Sequence, residues 1–266
     1  MTIQNWLLTA TEQLKSADIA TARLDCLVLL EDETGHDRSW LLAYPEHVLQ
    51  IEILQKLNTK IVQRAQHTPL AYLRGKAEFY GRTFQVNEHT LVPRPETEII
   101  IDMLRALDLP AQPTILDVGT GTGCIAITAT LELPNAHASA CDIDPACIQI
   151  AQTNAQSLDA TVDYVVSDLL ANVADHYDVI TTNLPYVPID YAINKAASHE
   201  PTLALFSGTD GLDLYRTFFN TVGALGPKYI LTESLPEQHM AVTELAKTAG
   251  FHMQKIDGFI QLFSRV

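Results

Sequence analysis

The sequence predicts an α/β chain: a small helical bundle, then a β-hairpin, then a mostly parallel, doubly wound sheet. Three observations carry this. Apolar residues recur at three- and four-residue steps through residues 1 to about 72. The stretch "KAEFYGRTFQVNEHTLV" (76–92) is instead aromatic and β-branched around Gly81. From residue 114 onward, apolar strand-like runs alternate with helical ones, the pattern of a parallel sheet with helices on both faces.

In order along the chain, Ile3, Trp6, Leu7, Ala10 and Leu14 form the first helical stripe. Leu24, Leu27, Val28 and Leu30 form the second, and Ile53, Leu54, Leu57, Ile61 and Ala65 the third. "ETGHD" and "AYPEH" punctuate them. After the hairpin, "PRPETEIIIDMLRAL" (93–107) starts a helix, with Pro95 in the first turn and Glu96 and Glu98 at its positive end. "TILDVG", "AHASACDID", "VDYVVSD", "YDVITTN" and "KYILTES" read as strands, and the ending "FHMQKIDGFIQLFSRV" as two more. The intervening "GCIAITATLEL", "PACIQIAQTNAQSL", "GLDLYRTFFNTVGAL" and "PEQHMAVTELAKTAG" read as helices. This gives residues 1–75 as a helical domain, 76–94 as a hairpin linker and 95–266 as the sheet domain.

Composition narrows the function classes. The 266 residues are 47% apolar and 18% charged, enough to bury a sizeable core. The formal charge of −15 disfavours a broad nucleic-acid surface. The only basic-rich run lies between Lys60 and Lys76. No secretory leader and no membrane-spanning apolar stretch is expected, so the chain is placed in the cytoplasm. Cys26, Cys124, Cys141 and Cys147 lack zinc-like spacing, and the histidines show no metal-binding pattern, so no metal is expected.

"ILDVGTGTGCIAI" (115–127) is the strongest local signal. A buried strand ends in Asp117 and turns through Gly119, Thr120, Gly121, Thr122 and Gly123 into a helix. Glycines let a backbone approach a ligand closely. An acid beside that turn would repel a diphosphate but suits a cation, such as the sulfonium and ammonium of S-adenosylmethionine. Asp142 ends the next strand, where a carboxylate accepts from both ribose hydroxyls. Asp168 ends the third, where an adenine amine can donate. Aspartate is also common at helix caps, and Asp144-Pro145 reads as one.

The fourth strand delivers "NLPYVP" (183–188) to the same sheet edge. A planar nitrogen acceptor needs a side-chain oxygen and a backbone carbonyl for its hydrogens, and a flat partner for its face. Asn183 offers the side-chain oxygen and Tyr186 the flat partner, and the geometry must hold the nitrogen in line with the methyl–sulfur bond. With an activated methyl donor no strong base is required, and the task is one of proximity.

At this point the chain resembles the HemK/PrmC family, the protein-(glutamine-N5) methyltransferases that modify class 1 peptide release factors. The stretches that carry the resemblance are "ARLDCLVLL", "PLAYLRGKAEFYGRTFQVNEHTLVPRPETE", "ILDVGTGTGCIAI", "NLPYVP" and "HEPTLALFSGTDGLDLYR". It implies a helical substrate-docking domain, a hairpin linker and a Rossmann-like, seven-stranded class I methyltransferase domain. It implies a cofactor loop at Gly119–Gly123, a ribose acid at Asp142 and adenine-edge positions at Asp168 and Leu169, with Asn183 bordering the cofactor as well as the substrate. It implies a substrate motif at Asn183, Leu184, Pro185 and Tyr186, with Arg94 and Glu96 lining the site or forming a helix-cap ion pair. The implied reaction moves a methyl group from S-adenosylmethionine to the glutamine of the Gly-Gly-Gln motif, in a monomer. Another amide or amine target, such as a ribosomal-protein glutamine or nucleic-acid adenine, and a catalytically weakened binding protein, are the alternatives.

Three departures stand out. Leu184 replaces the first Pro of the family's Asn-Pro-Pro-Tyr, which removes a fixed φ and predicts a less preorganised loop. "LTESLPEQ" keeps Glu233 and Gln238 but has Leu235 where Gly is usual. The C-terminal "IDGFIQLFSRV" lacks the longer hairpin, leaving the last two strands uncertain in shape.

Overall fold

A computed structural model describes residues 1–265. The chain divides into two compact units, 1–75 with 193–199, and 76–192 with 200–265. The short segment 193–199, assigned from sequence to the sheet domain, groups with the helical unit instead; His199 Nε2 lies 2.8 Å from the Gln66 carbonyl there.

The helical unit contains α1 (Ile3–Ser16), α2 (Ala22–Thr34), α3 (Arg38–Ala43), α4 (Ile51–Ala65) and α5 (Leu70–Arg74). The first and third stripes converge on one core around Trp6, Leu14 and Leu57, whereas α2 buries Leu27, Leu29 and Leu30 and turns Leu24 of the expected stripe to solvent, because its inward face is set by the packing of α1 and α4. Trp6 buries its ring and donates Nε1–H to Asn58 Oδ1 at 2.9 Å, so its polar edge is satisfied. The basic-rich run is largely neutralised within this unit. Lys60 pairs with Glu33, Arg64 with Asp25 at 2.7 Å, and Arg74 with Asp32 at 2.7 Å. These cations are thus spent on α2 rather than offered as a phosphate-binding row.

The second unit opens with the hairpin β1 (Lys76–Phe79) and β2 (Arg82–Gln85), which turns at Tyr80–Gly81. The strands stop at Gln85, so the rest of the predicted hairpin segment is a loop leading to a 3₁₀ turn at Pro95–Thr97 and to α6 (Glu98–Arg105). Phe79 and Phe84 are fully buried and meet edge to face, which anchors the hairpin on the core.

There follow β3 (Thr114–Val118), α7 (Cys124–Glu132), β4 (His137–Asp142), α8 (Pro145–Ser157), β5 (Val162–Val166), β6 (Val179–Thr182), α9 (Thr202–Leu205), α10 (Asp213–Thr221), β7 (Tyr229–Glu233), α11 (His239–Thr248), β8 (Phe251–Asp257) and β9 (Ile260–Arg265). Seven of the strands form one sheet in the order β5-β4-β3-β6-β7-β9-β8. β3 through β7 are parallel and β9 runs antiparallel to both neighbours. One core cluster, with Tyr215, Phe218 and Phe263, covers one face. A second, with Ile100, Leu104 and Ile127, covers the other. Order reverses at β3, whose neighbours are β4 on one side and β6 on the other. A crevice outside the carboxyl ends of the strands is expected at that point. The short C-terminal hairpin still closes the sheet: β8 and β9 pair along their length through a bulge at Met253/Lys255 and a turn at Gly258. Among the described residues no helix is long and apolar enough to cross a membrane. All four cysteines are buried and unpaired.

Candidate active site

The cavity in the second unit lies at the strand-order reversal and is lined by the β3–α7 loop, the ends of β4 and β5, and Asn183, Leu184 and Pro185 after β6. The loop's shape follows from its glycines. Gly123 has φ 80°, and a Cβ there would lie 2.9 Å from Ile127 Cδ1 and 3.0 Å from the Ala151 Cβ, so only glycine lets α7 and α8 approach. The Gly119 and Thr120 amides donate to the Cys141 carbonyl at 2.9 and 3.0 Å, tying the loop to β4.

Asp142 organises the next turn. Its Oδ2 accepts from the Gly121 amide at 2.9 Å and its Oδ1 from the Asp144 amide at 3.0 Å. Each oxygen keeps a lone pair for a ligand hydroxyl. Burial holds its carboxyl above the usual range, and the two amides pull it back. Asp144 caps α8, accepting from the Ala146 amide at 2.8 Å. Asp168 and Leu169 follow β5 in the cavity wall. Leu169 has φ 47°, an uncommon conformation for a residue with a Cβ. A cavity with acids at two strand ends and a glycine turn suits a cationic nucleoside such as S-adenosylmethionine.

Asn183 follows β6, and its side chain is fixed from behind. Its Nδ2 donates to Thr97 Oγ1 at 3.3 Å, and Thr97 Oγ1 donates to Glu233 Oε2 at 2.6 Å. Tyr186 donates its hydroxyl to Glu233 Oε1 at 3.0 Å. Glu233 is 2% exposed; burial raises its pKa, and the hydrogen bonds from Thr97 and Tyr186 lower it. The Tyr186 carbonyl accepts from Gln238 Nε2 at 2.7 Å, and the same nitrogen reaches the Asp210 carbonyl at 2.8 Å. Gly211 packs so closely here that a Cβ would meet the Tyr186 carbonyl oxygen at 2.0 Å.

Leu184 departs from the sequence expectation of a looser loop. Its side chain is 3% exposed and belongs to the core cluster with Leu116, Val118 and Tyr215. Burial therefore supplies part of the restraint that the proline ring would supply. Leu184→Ala should cost about 2–5 kcal/mol of stability in urea unfolding. Leu184→Pro should leave turnover within the same order of magnitude; a rise of several orders would contradict the anchored-loop account.

Two family models match the chain, one described as the PrmC N-terminal domain over residues 5–75 and one as the methyltransferase small domain over 96–200. The release factor glutamine methyltransferase of Koribacter versatilis is 37% identical over 222 residues, covering 81% of this chain and 79% of the relative. The chain belongs to the release factor glutamine methyltransferase family. Its counterpart from Deinococcus radiodurans is 32% identical over 259 residues, covering 96% and 93% of the two chains. A solved methyltransferase from Pyrococcus furiosus shares the fold, with TM-score 0.52 and 18% identity over 70% of this chain and 88% of that one.

Within this release factor glutamine methyltransferase family fold, the structure brings together Arg94, Gly119, Thr120, Gly121, Thr122, Asp142, Asp168, Leu169, Asn183, Leu184 and Pro185 around one cavity. Gly123 shapes the loop behind it. Three expected residues stand elsewhere. Asp117 is 1% exposed and outside the wall; its carboxyl oxygens accept from Thr120 at 2.7 Å and Thr181 at 2.9 Å. Tyr186 is also outside the wall, because its hydroxyl is drawn inward to Glu233. Glu96 is exposed and does not pair with Arg94. Arg94 instead donates to Glu200 Oε1 at 2.6 Å, and Glu200 Oε2 accepts from the Val92 amide at 3.0 Å.

Sequence reasoning missed Thr97 and His89. His89 lines the cavity and lies 3.5 Å from Asp144, although its spacing to other histidines carries no signal. His199-Glu200-Pro201, within the stretch "HEPTLALFSGTDGLDLYR", reads from the resemblance either as a border of the site or as a loop packed over the sheet edge; Pro201 lines the cavity and Glu200 holds Arg94.

Asp117 gives a pH prediction. Burial raises its pKa from 3.8 to about 6, against the two threonine hydrogen bonds. The folded state therefore prefers the neutral acid. Below about 3.8 both states are protonated and nothing is lost; as pH rises through about 6 the folded state gives up stability. Between pH ~4.5 and ~7.5 this amounts to about 2 kcal/mol. Asp117→Asn should flatten that part of the urea-unfolding profile; parallel profiles for the two proteins would contradict the raised pKa.

Proposed function

We propose that this chain transfers a methyl group from S-adenosylmethionine to the side-chain amide nitrogen of the glutamine in the Gly-Gly-Gln motif of class 1 peptide release factors. One observation carries the reading: Asn183, with its amide held from behind, opens onto the same cavity as the glycine turn and Asp142. The family and its relatives' names support the choice of substrate.

Gly119, Thr120, Gly121 and Asp142 would hold the cofactor, with Asp168 and Leu169 at its adenine end. S-adenosylmethionine, when bound, supplies an activated methyl group. The protein's own task is to place a weak nucleophile. A glutamine amide nitrogen has two hydrogens and a delocalised lone pair. Asn183 Oδ1 and the Leu184 carbonyl accept those hydrogens, which orients the nitrogen and favours the charge that develops on it. The buried, apolar Leu184 side chain fixes where its carbonyl sits. Tyr186 braces the loop through its hydroxyl bond to Glu233.

The test is label transfer from methyl-tritiated S-adenosylmethionine to intact release factor, beside a release factor carrying alanine at the motif glutamine. Transfer to the first and not the second supports the reading. Equal transfer to both, or to ribosomal protein or DNA alone, overturns it.

A further inference from the structure

We propose that Glu233, acting through Thr97, is a positioning residue that fixes which end of the Asn183 amide faces the substrate. This rests on reading the cavity as an amide methyl-transfer site.

The argument is a count of hydrogens. An asparagine amide has an accepting and a donating end of nearly equal size, and packing alone does not choose between them. Thr97 has a single hydroxyl hydrogen. Its Oγ1 sits 2.6 Å from Glu233 Oε2, and with the carboxyl ionised both of its oxygens only accept, Oε1 from Tyr186 and Oε2 from Thr97, so in that state the Thr97 hydrogen goes to Glu233. Thr97 then has only lone pairs left for Asn183, 3.3 Å away. Asn183 must turn Nδ2 toward Thr97, which leaves Oδ1 for the cavity. The polarity passes from carboxylate to hydroxyl to amide.

The second carboxylate oxygen is occupied by the Tyr186 hydroxyl at 3.0 Å, so one buried group polarises both ends of the Asn183–Tyr186 loop. The Glu233 backbone is held as well, since its carbonyl accepts from the buried Tyr215 hydroxyl at 2.5 Å. Thr97 is 3% exposed and Glu233 2%, so water does not compete for these bonds. An inverted amide would present N–H to the hydrogens of a substrate amide and repel them.

The chain predicts a specific set of kinetic outcomes. Thr97→Val keeps the shape and removes the hydroxyl, so kcat should fall about a hundredfold, as for other mispositioned reacting groups. Thr97→Ser keeps the hydroxyl and should restore kcat to within about threefold. Glu233→Gln offers one acceptor and one donor, reverses one arm of the network, and should lower kcat to a similar degree. Combining it with Thr97→Val should add little, because both break the same chain. Cofactor affinity by calorimetry should be unchanged in all of them.

The experiment measures release-factor methylation for the unaltered chain, Thr97→Val and Thr97→Ser, together with the Asn183 side-chain amide signals in ¹⁵N-correlated spectra. We expect Thr97→Val to lose kcat and to shift the Asn183 amide signals, with Thr97→Ser close to the parent in both. If the unaltered chain methylates release factor and Thr97→Val matches its kcat, the positioning role is overturned alone. Unshifted Asn183 amide signals in Thr97→Val overturn it as well, independently of activity. If the unaltered chain transfers no methyl group, the functional reading falls and this inference with it.

Discussion

Asn183→Ala is expected to lower kcat by about a hundredfold to a thousandfold while leaving S-adenosylmethionine affinity unchanged. The magnitude follows from removing one preorganised hydrogen-bonding group aimed at developing charge. The separation of effects follows from the structure. Asn183 is held by Thr97 and Glu233, not by the glycine turn or Asp142. Truncating it leaves the β3–α7 loop and the end of β4 untouched. A transition-state contact should appear in kcat and kcat/KM together, with little change in ground-state binding. Rapid-quench methylation of release factor gives the chemical step, and calorimetry gives the cofactor constant. Loss of cofactor binding in parallel with turnover would move Asn183 out of the substrate role and into the cofactor site.

Asp142→Ala is the second large effect, and it should be the mirror image. The cofactor dissociation constant should rise about a hundredfold or more, with a smaller effect on the chemical step at saturating cofactor. Two costs combine. On the proposed placement the ribose hydroxyls would lose their acceptor, and the Gly121 and Asp144 amides lose theirs at 2.9 and 3.0 Å. A buried donor left unpaired costs about 1–3 kcal/mol, so two lost amide partners and the ligand bonds together reach this range. The variant should still fold, because β3 and β4 stay paired from Thr114 to Val118. Calorimetry on the variant checks this. An unchanged constant would mean that the cofactor does not use the end of β4.

The sheet was legible because its strands are apolar runs separated by helices with caps, a local pattern. The placing of a site at the carboxyl ends of the strands followed from the general rule for doubly wound sheets, whereas the strand order, and with it the reversal at β3, came only with the structure. Asp142, Asp168 and Asn183 were legible because each ends a strand that the same rule brings to one edge. Asp117 was misplaced for a simple reason. A residue at a strand end points to one face or the other, and the glycine pattern does not say which. Here it points to Thr120 and Thr181, beneath the loop. The partner of the Tyr186 hydroxyl was not legible, because Glu233 lies 47 residues later.

The supporting residues are the least legible. Thr97 and Glu233 meet across 136 residues of sequence, and Val92 and Glu200 across 108. A threonine in a 3₁₀ turn and a glutamate at the end of a strand carry no local signal of a joint role. Only the fold brings them within hydrogen-bond distance. Leu184 shows the same limit from the other direction. The sequence predicted what a missing proline ring would loosen, but not that the replacing side chain would lie in the core with Tyr215.

The most direct test of the central claim is fragmentation mass spectrometry of release factor after incubation with this protein and S-adenosylmethionine. The account predicts one added methyl group, on the side-chain nitrogen of the Gly-Gly-Gln glutamine, and none when Asn183 is alanine. A methyl group mapped to any other residue, or the same modification delivered by the Asn183→Ala variant at the parent rate, would contradict it.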